Sequence, residues 1–237
     1  MLKSLAVAVT FLTILPAKNV NWNKANLRYF ILNVPLIGLM VGLIWLAMSF
    51  IFGQIFFKCS DFLKGALMTL TNLILTGGLH IDGFIDTCDA LFSHKDFEAR
   101  LKILSDTHTG AFGVAGCVMN LILKCALFAE IKFNYTLILI PVLSRSGMAL
   151  LLNNLKFAKN DGLAKILGSS RVQHDNIWLI IIMLVSALID FKLSVLNLLA
   201  YIFWRRCCMK NFNGITGDLL GAFVELDEII LLLGLCI

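Results

Sequence analysis

Val34-Pro35-Leu36-Ile37-Gly38-Leu39-Met40-Val41-Gly42-Leu43-Ile44-Trp45-Leu46-Ala47-Met48-Ser49-Phe50-Ile51-Phe52 lies inside an apolar block, 30–57, that contains no Asp, Glu, Lys or Arg. About 20 such residues suffice for a helix to cross the hydrocarbon core of a bilayer. The block lacks the alternation of a barrel strand, and a helix satisfies its own backbone polar groups in lipid, so it reads as a membrane helix. Further apolar blocks follow at 62–79, 110–131, 134–155, 176–204 and 215–237. The block 176–204 is interrupted by Asp190-Phe191-Lys192, which predicts two short segments turning at that charge pair. Together these blocks predict an all-α, polytopic membrane helix bundle of about six to eight membrane segments, forming one domain over residues 1–237.

Composition points the same way. The 237 residues are 59% hydrophobic and 15% charged, with 18 Phe, and the mean hydropathy is +0.88; soluble domains run near a quarter charged. A lipid bilayer is therefore the first partner. The net charge of +5 does not call for nucleic acid, because Lys and Arg gather in the cytoplasmic loops of membrane proteins whatever the substrate. Three loops carry that excess: 17–29 with Lys18, Lys24 and Arg28, 156–175 with Lys156, Lys159, Lys165 and Arg171, and 205–210 with Arg205, Arg206 and Lys210. The positive-inside rule places all three in the cytoplasm. Seven scattered Cys, mostly in apolar runs, predict neither a disulfide framework nor a CxxC metal site. The first residues, through Leu15-Pro16, have no small-residue cleavage site and read as a retained interfacial or re-entrant helix. Gly38 and Gly42 form a small-xxx-small pair expected to pack helices within one protomer.

The polar residues concentrate in the segment 77–113, the expected active-site loop. It opens with Gly77-Gly78-Leu79-His80-Ile81-Asp82-Gly83-Phe84-Ile85-Asp86-Thr87-Cys88-Asp89. Ionisable groups beside a bilayer are costly and mark function. Positions 82, 86 and 89 are spaced i, i+4 and i+7, so in a helix the three carboxylates share a face and repel one another. Hard oxygen ligands in this pattern suit Mg²⁺ or Mn²⁺ bridging to a substrate phosphate, which is the chemistry of phosphoryl transfer. The structural alternative is a solvated helix start, where Asp caps free amides. His80 is placed to orient a carboxylate or to contact phosphate.

Downstream, Asp106-Thr107-His108-Thr109-Gly110-Ala111-Phe112-Gly113 opens the next apolar block, either as an ordinary cap or as a metal or phosphate site made of free backbone N–H groups. Between the two motifs, Phe97 to Leu104 reads as an amphipathic surface helix. Arg145 interrupts an apolar block and needs an anionic partner, either a substrate phosphate or one of the acids Asp218 and Glu225. Those acids lie seven apart on one helical face, and Thr216-Gly217 before them resembles an N-cap turn.

With Phe11-Leu12-Thr13-Ile14-Leu15-Pro16, the Gly77-to-Asp89 block, Asp106 to Gly113, and Thr216-Gly217-Asp218 with Gly221-Ala222 in this order, the chain resembles the cobalamin synthase family, the adenosylcobinamide-GDP ribazoletransferases of bacterial and archaeal membranes. The resemblance covers essentially the whole length. Two departures are visible: Ala90 where the family usually has glycine, and His108 where it often has Arg. The resemblance implies transfer of the cobinamide phosphoryl group from adenosylcobinamide-GDP to α-ribazole or its 5′-phosphate, with release of GMP and with Mg²⁺ as cofactor. It implies metal ligation by Asp82, Asp86, Asp89 and Asp106, catalytic roles for Asp82, Asp86 and Asp106 (the last completing the metal site or acting as base), and substrate contacts from His80, Arg145, Thr216 and Asp218. A bacterial cytoplasmic (inner) membrane location, an active site on the cytoplasmic side, and other corrinoid-pathway enzymes as partners go with it. Two other classes compete. A CDP-alcohol phosphotransferase-like enzyme also groups aspartates on membrane helices, but its Asp-Gly is followed by an Ala-Arg that is missing after Asp82-Gly83. A transporter would line a path with such charges, but no repeated halves are visible.

Overall fold

The computed structural model describes residues 2–17, 23, 27–131, 134–159 and 161–237, so Lys18 and Lys24 of the first basic loop lie outside the described residues. The described residues form eleven α-helices: α1 (Leu2–Leu12), α2 (Phe30–Ile55), α3 (Asp61–Thr76), α4 (Leu79–Phe92), α5 (Phe97–Ile103), α6 (Ala111–Glu130), α7 (Leu139–Asn154), α8 (Leu163–Leu167), α9 (Asp175–Ile189), α10 (Phe191–Phe212) and α11 (Gly217–Cys236). A 3₁₀ turn, Tyr135–Ile138, leads into α7. Among these residues the only β feature is an isolated parallel bridge between Phe157 and Ile215.

Each long helix coincides with an apolar block, because continuous apolar sequence in lipid leaves the backbone no partner but itself. Asp190 ends α9 and caps α10, its Oδ1 accepting from the Leu193 amide at 3.0 Å; the charged break in that block is therefore a turn. By length and composition, α2, α6 and the 3₁₀ turn continued by α7 can each cross a membrane. The pair α3 and α4, bent by 94°, makes a fourth span or a re-entrant loop. This count falls below the expected six to eight. Of the helices that make up the difference, α9 is only 15 residues long, α10 carries Arg205, Arg206 and Lys210, and α11 carries Glu225, Asp227 and Glu228.

Helix α11 is the hub and packs on α4, α6, α7 and α10. Helix α7 is buried from Leu139 to Asn153, while α6, α9 and α10 turn Ile122, Leu184, Leu188 and Phe203 outward, the pattern of a lipid-facing ring. Gly38 and Gly42 serve packing within the protomer. A Cβ on Gly42 would stand 2.6 Å from the Ile138 carbonyl oxygen, and Gly38 lies against the backbone of Pro141 and Val142.

Deep in the bundle, the Lys124 ammonium bonds Glu225 at 2.7 Å and Glu228 at 2.6 Å. The Arg145 guanidinium pairs with the other oxygen of Glu228 and bonds Ser144. Asn72 reaches Glu228 at 3.3 Å and Asn197 reaches Asp227 at 2.7 Å. Side chains from α3, α6, α7, α10 and α11 are thereby stitched together. The expectation that Arg145 pairs with Asp218 or Glu225 is corrected: its partner is Glu228, one turn beyond Glu225 on the same helix face.

Candidate active site

Two consecutive glycines begin the site. Gly77 (φ 61°) and Gly78 (φ 72°) both take left-handed backbone, which glycine adopts without a Cβ penalty. Their amides bond the carbonyls of Ile74 and Leu73 at 3.0 and 3.1 Å, which closes α3 and swings the chain through 94° into α4. The segment 77–113 is thus not an extended loop; its first half is the helix that carries Asp82, Asp86 and Asp89 on one face.

Small residues bring α4 onto the start of α11. A Cβ on Gly83 would stand 2.7 Å from the Asp218 carbonyl oxygen, and one on Gly221 would stand 3.1 Å from that of His80. Thr216 caps α11, accepting from the Leu219 amide at 3.3 Å, and its hydroxyl lies 3.2 Å from Asp218 Oδ2. Next to it, Ile215 exchanges backbone bonds with Lys156 (2.9 Å) and Ala158 (3.0 Å). Gly214 permits that approach, since a Cβ there would stand 2.6 Å from the Lys156 carbonyl oxygen. The pairing delivers Lys159 to the carboxylates. Asp86 lies within electrostatic reach of Asp218, Asp82, Asp89 and Lys159, and Asp218 within reach of Lys159 and Asp82.

Asp82 and Asp218 between them line three cavities. The first, about 120 Å³, is walled mainly by apolar side chains, with His80 also in its lining. The second, about 580 Å³, runs along Thr13, Gly77, Gly78 and Ile85. The third, about 150 Å³, is bordered by Lys159, Lys165 and Thr216. Asp82 faces the first and second, while Asp218 faces the first and third.

The model of a family described as cobalamin-5-phosphate synthase matches residues 4–236. The chain belongs to the cobalamin-5-phosphate synthase family. It is similar to the adenosylcobinamide-GDP ribazoletransferase of Geobacillus sp. (strain WCH70), with 35% identity covering 92% of this chain and 89% of the relative. Relatives of the same name from Clostridium botulinum (strain Alaska E43 / Type E3) and Clostridium perfringens (strain SM101 / Type A) are 29% and 30% identical, over 99% and 98% of this chain and 97% and 98% of their own. No solved structure matches it. The matched residues reach into every one of the eleven helices.

Within this family member, the structure brings Asp82, Asp86 and Asp218 together. Asp89 has a different engagement: its two oxygens accept the amides of Gly110 (2.7 Å) and Gly113 (2.8 Å), capping α6 from a neighbouring helix. Two amides at that helix start, read from sequence either as an ordinary cap or as a metal or phosphate site, are therefore taken by the chain's own carboxylate. Gly113 is glycine because a Cβ would collide with Asp89. Asp106 lies on the exposed rim, bonded to His108 Nδ1 at 2.7 Å, and that hydrogen bond holds its carboxyl below the usual range. Arg145 sits in the buried ion network, not on a cavity wall. Lys159 is the residue that sequence reading passed over. It counted only as loop charge, and the bridge that carries it to Asp218 leaves no local signal.

A divalent cation here would need substrate and water oxygens beside those of the protein. Among the described residues no three His, Cys, Asp or Glu side chains are grouped closely enough to hold an ion by themselves. Asp82 and Asp218 offer hard oxygen alone on the cavity walls, with Asp86 within electrostatic reach of both, which would suit an ion that takes one or two carboxylates, several waters and a substrate phosphate.

Proposed function

We propose that the chain transfers the cobinamide phosphoryl group from adenosylcobinamide-GDP to α-ribazole or its 5′-phosphate and releases GMP. The observation that carries this reading is the meeting of Asp82 and Asp86 with Asp218 and Lys159 where three cavities join, in a chain of the cobalamin-5-phosphate synthase family. Asp82 and Asp86 would hold Mg²⁺, which when bound supplies charge neutralisation on the pyrophosphate. Lys159 and Lys165 border the third cavity and complement the remaining phosphate charge. Asp218, oriented by the Thr216 hydroxyl, accepts the proton of the attacking ribose hydroxyl. The new P–O bond forms at the cobinamide phosphorus, the bond to the bridging oxygen breaks, and GMP departs with the electron pair. His80 and Thr216 contribute from the cavity wall and the helix cap, Arg145 by holding α7 to α11, and Asp89 by fixing α4 against α6.

Arg205, Arg206 and Lys210 lie within α10 and not in the loop expected at 205–210, while other basic residues take polar partners between elements. Arg28 pairs with Asp175, Lys159 bonds Ser105 beside the site, and Arg100 bonds Asn211. This supports a cytoplasmic-membrane protein whose site opens to the cytoplasm. The test is GMP release by detergent-solubilised protein given adenosylcobinamide-GDP and α-ribazole phosphate, with Mg²⁺ and with chelator. GMP matched by a cobalamin product, and lost on chelation, is expected; folded protein that releases none would overturn the reading.

A further inference from the structure

We infer that the cavity enclosed by α1, α2, α4, α7, α8 and α11 is the seat of the acceptor's aromatic base, an inference that rests on the function proposed above. Its walls are Phe11, Leu12, Phe30, Met148, Leu152 and Leu167, and its volume is about 120 Å³. An apolar cavity of about 150 Å³ lined by Leu, Ile and Phe holds one benzene ring. The space thus suits the apolar edge of a flat bicycle and excludes a corrin macrocycle or a charged phosphate. Phe11 and Phe30 meet edge to face, with centroids 6.0 Å apart, and make one wall aromatic. Phe11 and Leu12 open the Phe11-to-Pro16 motif, which the carboxylate chemistry leaves unexplained.

The second observation is His80. Only 2% of its surface is exposed, it lines this cavity, and its Nε2 has no hydrogen-bond partner in the protein. A buried polar atom left unpaired is costly and calls for a ligand. Benzimidazole, the base of ribazole, presents an apolar benzo edge and one ring nitrogen outside its ribosyl bond, which complements the apolar walls and the unpaired His80 Nε2. Asp82, Gly217 and Asp218 line the same cavity at its junction with the other two. A base seated inside therefore leaves its ribose at the carboxylates, where the attacking hydroxyl is needed.

The test uses full-length protein in detergent and two readouts. Equilibrium dialysis with benzimidazole alone requires no turnover, and steady-state kinetics with both substrates varied separates acceptor from donor. Filling the cavity with Ala164→Phe is expected to weaken benzimidazole binding and raise the acceptor KM at least about tenfold, with the KM for adenosylcobinamide-GDP held within about twofold. Enlarging it with Leu152→Ala is expected to shift preference toward the riboside of a tricyclic naphthimidazole, a gain that misfolding cannot produce. His80→Leu is expected to raise acceptor KM more than it lowers kcat, with partial rescue by His80→Gln. Unchanged benzimidazole binding in Ala164→Phe, or a rise in donor KM in place of acceptor KM, would overturn the inference. Benzimidazole binding that the filled variant loses, in a protein that releases no GMP, would sustain the base site and sink the proposed reaction.

Discussion

Asp82, Asp86, Asp89 and Asp106 look equivalent as letters, and the structure separates them by what each oxygen already does. Asp89 spends both oxygens on the amides of Gly110 and Gly113, and Asp106 bonds His108 on the exposed rim. Asp82, Asp86 and Asp218 face the cavities or one another. The spacing i, i+4, i+7 reveals that the first three share a face; it cannot reveal that the third is claimed by a helix start 21 residues on. Substitution resolves the roles. Asp82→Asn, Asp86→Asn and Asp218→Asn are each expected to cut GMP release by about two orders of magnitude or more while the thermal midpoint moves little. Turnover within about threefold of wild type for Asp82→Ala would remove it from the proposed metal site. Asp89→Ala should behave in the opposite order, losing about 1–2 kcal/mol of stability as a lost cap does, with activity falling because α4 loosens. Chemical or thermal unfolding beside the GMP assay separates these outcomes.

At the scale of elements, the apolar blocks coincide with helices because hydropathy and helix length are both local. The turn at Asp190 is equally local, since a charge pair cannot remain at mid-span without a partner. The contact between α4 and α11 is not local. It depends on Gly83 meeting the backbone of Asp218, residues far apart in sequence. The motif shows that Gly83 allows a close approach, but only the structure names what approaches, the backbone of Asp218. Gly83→Val is expected to push the helices apart, to cost about 1–3 kcal/mol as overpacking does, and to abolish GMP release with all three carboxylates intact. Gly42→Leu, which presses on Ile138 at the middle of α2, is expected to cost a similar amount of stability yet to spare kcat in the protein that remains folded. If both variants lost activity in proportion to stability, the α4–α11 contact would have no special part in assembling the site.

At the scale of the whole molecule, five helices converge on an ion network whose members no sequence window connects. Lys124 and Glu225 are 101 residues apart, and Arg145 and Glu228 are 83 apart. Lys124 sits inside an apolar block that hydropathy reads as plain membrane helix, and only its partners reveal why it is tolerated there. Two cations and the two glutamates balance within a water-poor interior, so each charge is held by the others. Removing one member leaves an uncompensated charge: Glu228→Gln strands Arg145, leaves Lys124 with Glu225 alone, and is expected to destabilise the bundle by about 3–5 kcal/mol. Removing a matched pair strands nothing. Lys124→Met with Glu225→Leu should therefore cost less than the sum of the two single changes, with a coupling of about 1–3 kcal/mol in a double-mutant cycle read by unfolding in mixed detergent. The same cycle followed by GMP release tells whether the network only holds the bundle together or also sets the site. His80 is positioned on α4 between the cavity and the charges of Arg145, Glu228 and Lys124, so in the second case the double variant regains stability without regaining its acceptor KM.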